Sequence, residues 1–225
     1  MYSGNIEQIV ALELDASLLP TVIVSNCEKY KEMLLKSNSG KKDFKSGDLS
    51  YFRGYGWLYG KENYQPIGML LKCDHNEARL KKFSFWLKKM AAPDSAILAP
   101  WLISIFAVND STNLPSKPLI NRPIVFYPQK GGKQTIHFDS IQVIIPSNGI
   151  YIMFQYIMDE KYAWAGNSVP NSEYTDSALY YGVCLEGVID SGQTIAYYLP
   201  DREQWFKRPD NESLRFEAIL TYCKE

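Results

Sequence analysis

Apolar and polar residues alternate with a period of two along most of the chain, which places successive side chains on opposite faces of an extended strand. Phe83, Phe85 and Leu87 share one face of a segment over Leu80 to Leu87, and Trp101, Ile103, Ile105 and Ala107 share one face of the next. The other face of that second segment, Leu102, Phe106 and Val108, is apolar too, which predicts a central strand covered on both sides. Further strands are predicted over Ile67 to Lys72, Pro123 to Tyr127, Gln134 to Phe138, Gln142 to Ile145 and Gly149 to Ile157. Leu179 to Val188, Thr194 to Leu199 and Leu214 to Tyr222 follow in the C-terminal part, and Ile6 to Leu14 and Thr21 to Ser25 read as strands near the N-terminus.

Short strands punctuated by Gly, Pro, Asn and Asp predict an all-β fold, a jelly-roll-like antiparallel β-sandwich, rather than strand-helix-strand units. Lys130-Gly-Gly-Lys133 and Ser147-Asn-Gly149 suit tight hairpin turns, because Gly and Asn tolerate the positive φ such turns need. Glu28 to Ser37 carries Tyr30, Met33 and Leu34 at helical spacing and predicts one short helix, marginal by itself at this length. The Lys-rich stretch Glu28 to Lys45 reads as a linker, dividing an N-terminal arm over residues 1–45 from a sandwich over 46–225.

Charge narrows the partners. The 225 residues hold 24 basic and 25 acidic side chains, a net −1, so no global basic field draws the chain onto nucleic acid, and membrane association is expected to be indirect only. Ala96 to Val108, the longest nearly apolar stretch, is too short to cross a bilayer as a helix. Cys27, Cys73, Cys184 and Cys223 are scattered without a Cys-x-x-Cys pair, so buried free thiols are the expectation, with a single bridge left open.

Catalytic signatures are sparse. The segment Gly54 to Glu62 has the wrong glycine spacing for a phosphate loop, and a serine-hydrolase elbow is missing. The run Cys73-Asp-His-Asn-Glu77 reads as a polar connection between strands, and His137 as part of a polar outer face. Asn109-Asp-Ser-Thr-Asn113 offers hard oxygen ligands in Asn109, Asp110 and Asn113 that could wrap a cation; a turn held by Asn and Asp side chains is the favoured reading. No cofactor is expected. Rings are abundant, with 16 Tyr, 5 Trp and 10 Phe. Tyr51, Tyr55, Trp57, Tyr59 and Tyr64 form one dense cluster and Tyr162 with Trp164 a second. These are the candidate contacts for a glycan or protein partner, since Tyr and Trp bury a ring while keeping a polar tip wet.

Several segments, in order, resemble a known family. They include Leu19-Pro-Thr-Val-Ile-Val24, Leu80-Lys-Lys-Phe-Ser-Phe85, Pro100-Trp-Leu-Ile-Ser-Ile-Phe106, Asn113-Leu-Pro-Ser-Lys-Pro-Leu-Ile120 and Val143-Ile-Ile-Pro-Ser-Asn-Gly-Ile-Tyr-Ile152. Over residues 10–160 the chain is similar to the C-terminal β-sandwich of carboxypeptidase-like regulatory-domain-containing envelope proteins of Bacteroidota. Gln155-Tyr156 stands where that family typically has Glu-Trp. The resemblance implies export to the cell envelope and no catalytic site. It also implies that residues 1–45 are the remnant of a preceding regulatory-type domain. No basic segment followed by an apolar one opens the chain, so an envelope location expects an export signal missing from this sequence; if Met1 is the true start, the location is cytoplasmic.

The function expected is therefore non-enzymatic binding or assembly in the envelope. One alternative is a glycan hydrolase using strand-borne carboxylates such as Glu186 and Glu217, and another is a structural subunit of an outer-membrane complex.

Overall fold

A computed structural model describes residues 27, 29–37, 54–55, 66–75, 77–87, 98–128, 131–157, 159–162, 164–166, 178–180, 185–189, 194–199, 202–207 and 212–224. In chain order the strands are β1 (Tyr30–Lys36), β2 (Gly54–Tyr55), β3 (Ile67–Leu71), β4 (Ala78–Leu87), β5 (Trp101–Val108), β6 (Pro115–Pro118), β7 (Ile124–Phe126), β8 (Gly132–His137) and β9 (Val143–Ile145). They continue with β10 (Ile150–Tyr156), β11 (Trp164–Gly166), β12 (Ala178–Tyr180), β13 (Leu185–Ile189), β14 (Ile195–Leu199), β15 (Gln204–Lys207), β16 (Glu212–Leu214) and β17 (Phe216–Cys223).

The fold is an antiparallel β-sandwich. One sheet runs β1-β17-β4-β13-β16, with β2 paired to β13 and with β8 and β9 paired to β4. The other runs β15-β14-β3-β10-β5-β6, with β7 paired to β5, and β11 and β12 make a separate ribbon. Period-two alternation turns Phe83 and Phe85 of β4 and Phe216, Ala218 and Leu220 of β17 towards Trp101, Ile103 and Ile105 of β5 and Ile150, Ile152 and Phe154 of β10. Phe154 meets Phe85 edge-on at 5.0 Å and Trp101 edge-on at 5.8 Å, so the rings interlock between the sheets. Among the described residues no helix is long and apolar enough to cross a membrane.

Three sequence expectations are corrected. The helix over Glu28 to Ser37 is instead strand β1, paired with β17 from Tyr30↔Cys223 to Lys36↔Glu217. A lone ten-residue helix gains little, whereas the edge of β17 offers a full ladder and a core for Met33 and Leu35. Ser37 ends the strand inside the protein: its Oγ accepts from the Phe216 amide at 3.3 Å, and its own amide donates to the Phe216 carbonyl at 3.2 Å. Residues 30–37 are thus not linker; the rest of that stretch, with the boundary near 46, lies outside the described residues.

The two glycine turns are not hairpins. The segment holding Gly131 and Gly132 leads from β7 in one sheet to β8 in the other, and the turn closed by Gly149 N–H to Pro146 C=O leads from β9 to β10, again between sheets. The positive φ is there, 95° at Gly149, but turn chemistry sets only the local reversal and not which sheet receives the next strand.

The third correction concerns the thiols. Cys27 and Cys223 form a disulfide across a sequence separation of 196, while Cys73 is a buried free thiol; Cys184 lies outside the described residues. Scattered spacing in the sequence hid the pair, because only the β1–β17 register brings the two Cα atoms to 5.6 Å.

Candidate functional site

The central strands of the β15-to-β6 sheet carry apolar residues on both faces, and their outer face builds a second cluster apart from the sandwich core. In β10 the outward residues are Tyr151, Met153 and Gln155; Tyr151 and Met153 are nevertheless buried, packed with Leu70, Val108 and Ala196. Phe106, Leu114 and Trp205 cover that cluster. The continuous apolar run Ile150 to Phe154 is thus explained by burial on two sides.

Beside this cluster the sheet surface is hollowed into an open groove of about 300 Å³. Its depth comes from one row of side chains across the strands. The register sets Ala196 of β14 against Gly68 of β3, Gly68 against Met153 of β10, and Met153 against Ser104 of β5. A Cβ on Gly68 would sit 1.8 Å from the Met153 sulfur, so only glycine lets the thioether lie flat across β3 as the floor. One continuous aromatic wall borders it. Tyr198 and Trp205 are directly paired neighbours whose rings lie 4.9 Å apart, and Phe106 faces Trp205 at 6.0 Å. Pro66, Leu102 and Gln155 complete the lining, Gln155 exposed and Ser104 half-buried.

Among the described residues this lining includes no charged side chain. Its polar side-chain groups are the Gln155 amide, with two donors and an acceptor, the hydroxyls of Ser104 and Tyr198, and the Trp205 indole N–H. A concave, mostly apolar surface with a few convergent polar groups is the common form of a small-ligand site.

The turn Asn109 to Asn113 supports the groove's neighbour Tyr151, whose hydroxyl donates to the Asn113 carbonyl at 2.7 Å. Asn109 Oδ1 accepts from the amides of Ser111 and Thr112 at 2.9 and 3.1 Å, and Asp110 accepts from the Asn148 side chain at 2.6 Å. These oxygens hold the loop in shape, with Asn113 at positive φ. Among the described residues no group of three or more His, Cys, Asp or Glu side chains is placed to hold a metal ion.

Burial pushes the Tyr151 phenol up from 10.0 to about 12. A folded pKa above the unfolded value means that the native state keeps a proton which the unfolded chain loses. The contribution is complete below pH 10 and disappears as pH rises through about 12. Tyr151→Phe is therefore expected to flatten the loss of stability over that alkaline window, read by chemical denaturation at stepped pH; an unchanged slope would refute the assignment.

The opposite sheet carries the two acids considered for hydrolysis. Arg215 lies over the Trp86 ring at 4.5 Å and Lys133 over it at 5.0 Å. Arg215 binds Glu186 at 2.8 Å and Lys133 binds Glu217, so both carboxylates are tied into one cation-ring staple. His137 sits on that sheet's exposed surface, 3.8 Å from Asp139. His75, in the connection between β3 and β4, stacks flat on Tyr222 at 3.7 Å.

Among the described residues, the groove lining includes none of the rings singled out in the sequence. Tyr51, Trp57, Tyr59 and Tyr64 lie outside the described residues, and Tyr55 is in β2, its backbone paired with Leu185. Tyr162 packs against the sandwich core beneath the Lys161 ammonium at 4.8 Å. Trp164 opens β11 opposite Tyr180. Sequence reasoning missed Phe106, Met153, Tyr198 and Trp205 as one surface, since they come from four strands that are neighbours only in the folded sheet. The available signal was the apolar outer face of β5, which reads equally well as a buried central strand. Comparison with protein-family models, with curated proteins and with solved structures gives no match to this chain.

Proposed function

We propose that the protein is a non-enzymatic binding module of a bacterial cell envelope that holds a glycan in the groove on the outer face of the β15-to-β6 sheet. The observation that carries this reading is the groove itself: rings of Tyr198, Trp205 and Phe106 beside the amide of Gln155 and the hydroxyl of Ser104. A sugar ring has an apolar C–H face and a hydroxyl rim, and this surface offers a partner to each. Its concavity favours a ligand of that size over a protein, whose stable interfaces need about 800 Å² per partner.

Two further observations support the location and the absence of turnover. The Cys27–Cys223 bridge suits an oxidising compartment such as the periplasm or cell surface. The order of segments resembling regulatory-domain envelope proteins points the same way. Glu186 and Glu217, the acids of the hydrolase alternative, are each bound by a cation beside Trp86 and lie on the sheet opposite the groove.

Native electrophoresis through gels containing soluble polysaccharides tests the reading. Migration is expected to be retarded without release of reducing ends. Gly68→Ala, which displaces the buried Met153 thioether, is expected to weaken retardation about tenfold or more at a stability cost of about 1–3 kcal/mol, which leaves the sandwich folded. Reducing ends released by wild type and lost in Glu186→Gln or Glu217→Gln would replace the proposal with the hydrolase.

A further inference from the structure

Resting on the groove as the binding site, we infer that its ligand is an uncharged sugar chain of several units, laid across the strands rather than along them. Neutrality follows from the lining. An ionised carboxylate, sulfate or phosphate entering this surface would give up hydration and find no countercharge among the described lining residues. Lys133 and Arg215 of the opposite sheet are paired with Glu217 and Glu186, and Lys207, which registers with Ala196 on the groove's own sheet, is not among the residues lining it.

Length and direction follow from the register. One outward row pairs Trp205 with Tyr198 at one end and Gln155 with Leu102, then Leu102 with Val125, at the other. Pro66 bridges the two halves, its carbonyl accepting from the Tyr198 amide at 3.1 Å. The row therefore crosses β15, β14, β3, β10, β5 and β7. At ~4.8 Å per interstrand step it spans roughly 24 Å, much longer than a single sugar ring. Tyr198 stands at the β14 end, the Trp205 ring leans from β15 towards Phe106 of β5, the Gln155 amide lies in the middle, and exposed Val125 lies at the β7 edge. The parallel row of Ala196, Gly68, Met153 and Ser104 is covered by Trp205 and Phe106, whose rings meet at 6.0 Å, so the chain is placed along the Pro66, Gln155 and Leu102 row beside them.

The test is calorimetric titration of the full chain with neutral hexose and pentose oligosaccharides, from disaccharide to hexasaccharide, against uronate and sulfated oligosaccharides of matched length. At least one neutral series is expected to saturate, with affinity rising from disaccharide to tetrasaccharide or beyond and scarcely changing between low and high salt. Trp205→Ala is expected to weaken it about tenfold to a hundredfold. Gln155→Glu, an exposed change that leaves the fold intact, is expected to weaken neutral chains by about tenfold through a new charge and serves if Trp205→Ala fails to fold.

Outcomes separate the two levels. Charged chains binding in preference, with sensitivity to Trp205→Ala or Gln155→Glu, overturn neutrality while keeping the groove. A monosaccharide binding as well as a hexasaccharide overturns the crossing path alone. Sugar binding indifferent to both variants, or no binding in any series, overturns the groove reading and this inference together.

Discussion

Phe154→Ala is expected to lower the unfolding free energy by about 3–5 kcal/mol, the usual cost of emptying a buried ring site. Phe154 is 1% exposed and belongs to β10, the middle of one sheet, yet its ring touches Phe83 and Phe85 of β4, the middle of the other. It also packs edge-on against Trp101 in its own sheet. Loss of the ring removes apolar area and leaves a void walled by rings that interlock from two rigid sheets, so collapse around the gap is limited. For a chain of this size the midpoint of thermal unfolding should fall by roughly 6–20 °C. Tyr127→Ala is the surface control, at 71% exposure, and should stay within about 0.5 kcal/mol. Equal effects from the two changes would contradict the placement of Phe154 at the joint between the sheets.

Removal of the Cys27–Cys223 bridge carries the second large effect. The bridge closes a loop with a sequence separation of 196, and the chain-entropy account gives about 5 kcal/mol as the ceiling for a loop of that length. Cys27→Ser or Cys223→Ser is expected to cost about 2–5 kcal/mol. The change should also be local in character. Among the described residues β1 joins its sheet along β17 alone, and its inner end is held by Met33, Leu35 and the paired hydrogen bonds of Ser37 with Phe216. With the bridge gone, strand β1 should open from Tyr30 inward, so amide exchange should accelerate more at residues 31–33 than at 35–37. Mass spectrometry of an unreduced digest should recover the peptides of Cys27 and Cys223 linked. Separate peptides would remove the bridge, and uniform exchange along β1 in the variant would remove its role as a clasp. Cys73 does not confuse the assay: it is buried, and burial pushes its thiol upward, away from reactivity.

Much of the fold was legible in side-chain periodicity. The strands predicted over Ile67 to Lys72, Leu80 to Leu87, Gln142 to Ile145, Gly149 to Ile157 and Thr194 to Leu199 correspond closely to β3, β4, β9, β10 and β14. Alternation also picked out the inward rings of β4 and β5. It failed at β1, where Tyr30 and Leu34 point outward at 48% and 55% exposure while Met33 packs inward. Those three residues satisfy helical spacing as well as an edge strand, and only the ladder offered by β17 decides between them. Leu179 to Val188, read as one strand, contains parts of two: β12 in the ribbon and β13 beside β4.

The candidate site was much less legible. Loop rings drew attention because aromatic density is visible in one dimension, whereas Phe106, Met153, Tyr198 and Trp205 are unremarkable in their own segments. Gly68 looks like a weak point in a strand, yet it sets the depth of the groove, because its two cross-strand neighbours are Ala196 and Met153.

The sequence by itself determined that this chain builds antiparallel strands with alternating faces, because period-two patterning needs only backbone geometry and the removal of apolar side chains from water. Tertiary structure alone decided which strands are neighbours, that the glycine turns pass between sheets, that Cys27 meets Cys223, and that rings from separate strands line one uncharged groove. Those outcomes depend on register and sheet order, which are set by cooperative packing of the whole core and leave no mark on any single segment.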